Sequence, residues 1–242
     1  MRPLLTFFLL ALAALGLAGA QTRPTPATAP ADKVPSAAVP VHEEPRHRLA
    51  YENSLVRVLD VSIGPGEASL YHLHADRILG VVIDEARTWQ QLQGRDASAP
   101  SLDDKVGQII DNSKAELPYT HRVGNADTVG FRYVVGVLRG PSGIDAPALG
   151  AEAGLALDRE TAGGRVYRVR LAPGEATPPH RHAQPGLTVQ VGAGTVRLEG
   201  VAPEAASPQS GPGALWWRPA GASHVVRNNG ATSVEVVEID WK

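Results

Sequence analysis

Imidazole ligates transition metals and titrates near neutral pH, and this chain uses it sparingly. Eight histidines occur in 242 residues, and six of them fall into two sets with one frame. In the first set, Gly66-Glu-Ala-Ser-Leu-Tyr-His72-Leu-His74 is followed by a lone His121. In the second, Gly174-Glu-Ala-Thr-Pro-Pro-His180-Arg-His182 is followed by a lone His224. The two pairs stand 108 residues apart. Alternate side chains of a strand share a face, so His72 and His74 project together, as do His180 and His182. Two imidazoles so placed chelate one ion, and a third from a later strand completes a three-nitrogen site. Such a donor set suits Fe, Mn, Ni, Cu or Zn. No nucleophile–histidine–acid arrangement, phosphate loop or nucleotide fingerprint accompanies it.

The elements that must hold these residues read as strands. Residues 55–63, 79–83 and 131–138 form short runs rich in Val, Ile and Leu, and so do 166–171, 187–191, 195–198 and 233–240. Turns at Pro65-Gly66 and Pro173-Gly174 precede the histidine pairs. Pro65-Gly-Glu-Ala68 recurs without change as Pro173-Gly-Glu-Ala176, and His121 and Asn125 recur as His224 and Asn228 at an offset of 103. The missing five residues fall in the loop between the two motifs. This is the signature of one all-β unit of roughly 90 residues present twice. Units at 42–140 and 165–242 are expected, joined by a Gly/Ala-rich connector at 141–164 with room for one short helix.

Composition narrows the function classes. The formal charge is −2 with no long run of either sign, which gives no electrostatic case for nucleic acid or an anionic membrane as partner. Cysteine is absent, so no disulfide supports the fold. Met1-Arg2, an apolar run from Leu4 to Leu17 and Ala18-Gly19-Ala20 read as a signal peptide over residues 1–20. The run is too short to span a bilayer, and a Pro/Ala-rich linker over 21–41 follows. A secreted or periplasmic protein, free of the membrane after cleavage, is the expectation.

The motifs resemble those of the cupin family. Gly174-(five)-His180-X-His182 is similar to the first cupin motif, and Gly213-(five)-Pro219-X-Gly221-(two)-His224-(three)-Asn228 fits the second at every position. The first half keeps Gly66, His72, His74, His121 and Asn125 but has Glu116 and Pro118 where the family has Pro and Gly. The resemblance covers most of residues 50–242 and implies two tandem cupin domains, jelly-roll-like β-barrels, that is, a bicupin. It implies a divalent transition metal held by His180, His182 and His224, and by His72, His74 and His121. It implies a small-molecule ligand inside the barrel, and pairing of barrels either within the chain or in a homodimer.

One departure bears on chemistry. Cupins usually add a glutamate about five residues after the histidine pair, where this chain has Leu187 and Leu79, with Gly186 and Ile78 one position earlier. Strand parity places Leu187, Val189 and Val191 in the pocket wall and leaves Gln190 on the other side. Each half then offers three histidines and no carboxylate. The family includes dioxygenases with three-histidine sites, so metal-dependent oxygen chemistry on a small organic acid, phenol or diketone is one expectation. The other is a non-catalytic ligand-binding or structural bicupin that has lost its metal. Minor expectations are turn roles for Glu67 and Glu175, backbone hydrogen bonding by Asn125 and Asn228, and opposite orientations for Trp216 and Trp217. Tyr119 is a candidate neighbour of the histidines, and parity turns Tyr71 away from them.

Overall fold

A computed structural model describes residues 37–201 and 211–242, so the expected signal peptide and most of the linker lie outside the described residues. The first half contains β1 (Val39–Pro40), β2 (His47–Glu52), β3 (Val56–Ile63), β4 (His72–His74), β5 (Ile78–Asp84), β6 (Thr88–Leu92), β7 (Ile109–Asp111), β8 (Tyr119–Asn125) and β9 (Phe131–Leu138). The second contains β10 (Ala156–Glu160), β11 (Gly164–Leu171), β12 (His180–Arg181), β13 (Gly186–Gln190), β14 (Val196–Glu199), β15 (Leu215–Arg218), β16 (Ser223–Asn228) and β17 (Val234–Trp241). A single 3-10 turn at Ala151–Ala153 lies in the connector, and β10, also in that stretch, pairs with β11.

The topology is duplicated strand for strand apart from β1, which pairs with β4 and has no counterpart among the described residues of the second half. The first half pairs its strands as β2-β3-β9-β5-β7 and β1-β4-β8-β6. The second pairs them as β10-β11-β17-β13-β15 and β12-β16-β14. In each half the His-X-His strand lies antiparallel to the strand of the lone histidine, with His72 opposite His121 and His180 opposite His224. The turns recur as well. Asn125 Nδ2 donates to the Ile63 and Val129 carbonyls, and Asn228 Nδ2 to those of Leu171 and Thr232. Glu67 and Glu175 each accept from a backbone N–H three residues earlier. The fold is the tandem pair of jelly-roll-like cupin barrels that the motifs lead one to expect.

Three apolar clusters hold it together. One fills the first barrel, with Leu59, Val61, Val82, Phe131, Val135 and Val137. A second fills the other, with Tyr167, Val169, Val226, Val234 and Val236. The third lies between the halves, where the two five-stranded sheets meet, and includes Leu79, Val81, Val134, Leu187, Val189, Trp217, Ile239 and Trp241. At this seam a Cβ added to Gly136 would lie 2.7 Å from the Trp241 ring, so the backbone must pass bare beneath the indole. Trp217 stacks on Tyr51 across the seam at 5.3 Å, while Trp216 packs on the second barrel's own core. The two indoles thus point in opposite directions, and Trp217 serves packing.

The seam corrects the parity assigned to Leu187. Leu79, Leu187, Val189 and Val191 face the other half, and Gly186, Thr188 and Gln190 alternate toward the barrel interior. Both faces of these sheets are buried, so apolar residues on one of them do not mark the pocket side.

Candidate metal centres

Each half brings its three predicted histidines together. In the second half, His180, His182 and His224 are joined by Glu238, and one donor atom from each of the four lies within 4.8 Å of the others. In the first half, His72, His74 and His121 meet the same condition, with no carboxylate joining them among the described residues. The expectation that neither half supplies a carboxylate donor is therefore corrected for the second. The donor in the second half comes from the last strand, not from the strand after the histidine pair. On β17, Val236, Glu238 and Asp240 point into the barrel and Val237, Ile239 and Trp241 into the seam.

The second centre is polar and buried throughout. Glu238 Oε2 lies 3.1 Å from His180 Nε2 and 2.9 Å from His182 Nε2, and Oε1 lies 2.8 Å from His224 Nε2. Thr188 Oγ1 donates to Oε1 at 2.7 Å. Arg218 Nε sits 3.9 Å from Oε1 and donates to Thr188 Oγ1, while its Nη2 donates to Asp240 Oδ1 at 3.1 Å. His182 Nδ1 approaches the same Asp240 oxygen at 2.7 Å. Burial alone would raise the Glu238 pKa, but Arg218 and the three imidazoles outweigh it and hold the carboxyl well below its ordinary range. Burial opposes protonation of His180, yet the facing Glu238 carboxylate prevails and raises its pKa; at His224 burial prevails and lowers it.

The first centre is apolar by comparison. His74 Nε2 and His121 Nε2 face each other at 3.1 Å. Tyr119 stacks on His74 at 4.9 Å, whereas Tyr71 packs against Arg122, away from the histidines. Burial holds the His72 pKa near 4 and that of His74 near 3, with His121 also well below 6.5. These rings are neutral at neutral pH, the form that ligates metal. A fourth imidazole, His47 on β2, contacts His72 edge-on at 4.7 Å, and burial holds it near 4 as well. Its place in the site had no sequence signal, because no motif or repeat contains it.

Both donor sets fit a divalent transition metal. His72 Nδ1 donates to the Leu70 carbonyl at 3.0 Å, and His180 Nδ1 to that of Pro178 at 2.9 Å. These bonds fix the ring protons on Nδ1 and leave each Nε2 lone pair for a cation. Two imidazole nitrogens at 3.1 Å, or an Nδ1-protonated ring against a carboxylate, need a proton or a cation between them. Donors at right angles on one ion stand about 3.0 Å apart when metal–ligand bonds are near 2.1 Å, which matches the 2.8–3.1 Å separations at Glu238. His72 Nε2 and His74 Nδ1 are buried without a hydrogen-bond partner among the described residues.

Space differs too. A cavity of about 70 Å³ beside His74 and His121 is lined mainly by Val41, Ile78, Val123, Phe131, Val135 and Val137. A groove of about 1280 Å³ reaches the same histidine and is lined by Arg95, Lys114, Glu116, Tyr119, His121 and Arg159, among others. Gln90 and His121 border both.

No protein-family model and no curated protein matches the sequence. Solved structures do match the fold. AerE from Microcystis aeruginosa superimposes with a TM-score of 0.54 at 13% identity, over 82% of this chain and 98% of that one. Salicylate 1,2-dioxygenase from Pseudaminobacter salicylatoxidans gives 0.52 at 12% identity, over 81% and 76%. Oxalate decarboxylase from Bacillus subtilis, an enzyme with Mn(II) centres, gives 0.50 at 11% identity, over 78% and 70%. At such identities the likeness defines the fold, a two-domain cupin, and leaves the chemistry to the residues of this chain.

Proposed function

We propose that the protein is an exported bicupin that binds a divalent transition metal at its histidine centres and carries out metal-dependent oxygen chemistry on a small organic molecule at the first. The observation that carries this reading is the cavity beside three neutral imidazoles in the first half, His72 and His74 buried and His121 partly exposed. A three-nitrogen donor set leaves coordination positions for other ligands, and the cavity supplies room next to them. A bound metal would supply a redox-capable, Lewis-acidic centre there. The chain's own residues do the rest. Tyr119 holds the His74 ring by stacking, and the Leu70 carbonyl fixes the His72 tautomer. Val123, Phe131, Val135 and Val137 exclude water from the cavity.

The second centre suits holding a metal better than turning over a substrate there. Four protein donors already surround one point, and Thr188, Arg218 and Asp240 occupy the polar space around them. A purely structural role for this half is favoured by the same network, since the three imidazoles, Thr188 and the Arg218 charge already satisfy Glu238.

Metal content per chain, by elemental mass spectrometry on mature protein purified without chelators, tests the proposal. One or two equivalents of iron, manganese, nickel or copper are expected, followed by oxygen uptake in a screen of small organic acids and phenols. The double variant His180→Ala/His182→Ala is expected to lose the second-half equivalent only. Metal-free protein that takes up none on soaking would overturn the reading and favour a structural or ligand-binding bicupin.

A further inference from the structure

His47 stands at a position where the fold does not require an imidazole. It lies opposite Val61 on the edge strand β2, and an offset of 108 carries it to Leu155, beside β10 in the second half. Leu155 is buried in the apolar core of its barrel. Aliphatic packing therefore satisfies this site in one copy, while the other buries a polar ring with 5% of its surface exposed.

The ring is oriented by the backbone. Nδ1 donates to the Val41 carbonyl at 2.6 Å, which places the proton there and leaves Nε2 as an acceptor. That Nε2 is buried and has no hydrogen-bond partner among the described residues. The nearest carboxylate, Glu44 Oε2, is 3.8 Å away and also an acceptor. His47 lines the same small cavity as His74 and His121, among side chains that are mostly apolar. A buried lone acceptor in an apolar chamber is a recognition element for a donor that enters from outside. With Glu44 beside it, an incoming O–H is favoured and an anionic oxygen is disfavoured.

We propose that His47 is a ligand-positioning residue of the first centre: its Nε2 accepts a hydrogen bond from the hydroxyl of a small, uncharged, largely apolar molecule in the cavity beside His74 and His121. This rests on the reading of that centre as a small-molecule site and narrows its ligand to a neutral hydroxyl compound; a cavity of about 70 Å³ takes the hydroxyl-bearing end, and a ring such as that of phenol extends toward the groove that shares Gln90 and His121 with it. His47 touches His72 but contributes no atom to the donors that converge within 4.8 Å, so it is assigned to the ligand and not to the metal.

The test compares phenol with anisole, its methyl ether, which has the same ring and no donor. Each is titrated into the full mature chain by calorimetry, with metal content measured on the same samples. Wild type is expected to bind phenol at least tenfold more tightly than anisole. His47→Leu, which installs the residue of the second half, is expected to reduce phenol to the anisole level with metal content and Tm unchanged. His47→Gln, which restores an acceptor, is expected to recover part of the preference. Equal affinities in wild type, no binding of either probe, or an undiminished preference in His47→Leu would overturn the proposal. Loss of metal in His47→Leu would overturn it differently, by making His47 a metal ligand while leaving the metal reading intact. A wild-type preference for phenol in protein that takes up no metal would sink the metal reading and leave the role of His47 standing.

Discussion

Strand β17 of the second half directs Glu238 and Asp240 at its histidines; strand β9 of the first half has Val135 and Val137 in their places. The register fixes the equivalence. Glu238 pairs with Tyr167 and Thr188, and Val135 pairs with Leu59 and Gly80, the residues at matching offsets on either side. The histidine frames are the same, so the difference lies in what surrounds them. The second half encloses its imidazoles in charge: a carboxylate at the centre, with Arg218 and Asp240 behind it. The first half borders them with a mostly apolar cavity and, at His121, with an open polar groove. One arrangement would give a bound ion four protein donors, and the other three. The histidine count alone does not distinguish a site that holds from a site that exchanges ligands.

Exchanging the β-strand donors should break this comparison most sharply. Glu238→Gln is expected to weaken metal at the second centre by more than about 100-fold, beyond the usual loss of an outer partner. The first centre should be unchanged, as measured by chelator competition on zinc-loaded protein. Val135→Glu should do the reverse and tighten the first centre toward the second. If Val135→Glu binds zinc no more tightly, the strand donor is not what separates the halves. A smaller effect is expected of Asp240→Asn. Asp240 approaches the far nitrogen of His182 at 2.7 Å, and removing such a charge costs about 10- to 100-fold in metal affinity. The same titration reads it, with no change at the first centre.

The smallest effect is a difference in pH response of the metal-free protein. His47 and His72 near 4, and His74 near 3, bind protons less readily in the folded chain than at their ordinary 6.5. Their contribution to stability is therefore complete above pH 6.5 and is lost as pH falls toward 4. His180, with a raised pKa, has the opposite sign: its contribution is complete below 6.5 and is lost as pH rises through the folded value. His224 is lowered and offsets it. Lowering the pH from 7 to 5 should loosen β4 and β8 more than β12 and β16, read as hydrogen exchange corrected for intrinsic rates. Equal loosening in both halves would remove the electrostatic contrast.

Much of this was legible in the sequence, and the rest was hidden for physical reasons. The duplicated turns, the histidine pairs and the order of strands follow from local spacing, and the structure has them. The short edge strands β2 and β10 lacked a clear alternation because β10 is exposed along its whole length, β2 is only partly buried, and register shifts interrupt both. The Glu238 ligand position was invisible because residues 233–240 alternate acidic and apolar residues like any half-exposed strand. Only the closure of the barrel tells a buried Glu238 from a surface Glu235, which pairs with Arg168 and Arg170. The parity of Leu187 failed for a related reason: the seam makes the outside of the barrel as apolar as its inside.

That seam has a further consequence. Strand β17 presents Glu238 to the histidines and, one residue to either side, Val237 and Ile239 to the first half. Trp241, at its end, lies over Gly136 of β9. Heating should melt both copies in a single event, and a metal gripped by one should raise the melting point of both. A copy clamped in this way keeps its shape when its chemistry is altered. Duplication thus provides a chassis in which one chamber can be refitted, glutamate for valine or leucine for histidine, while its twin holds the frame.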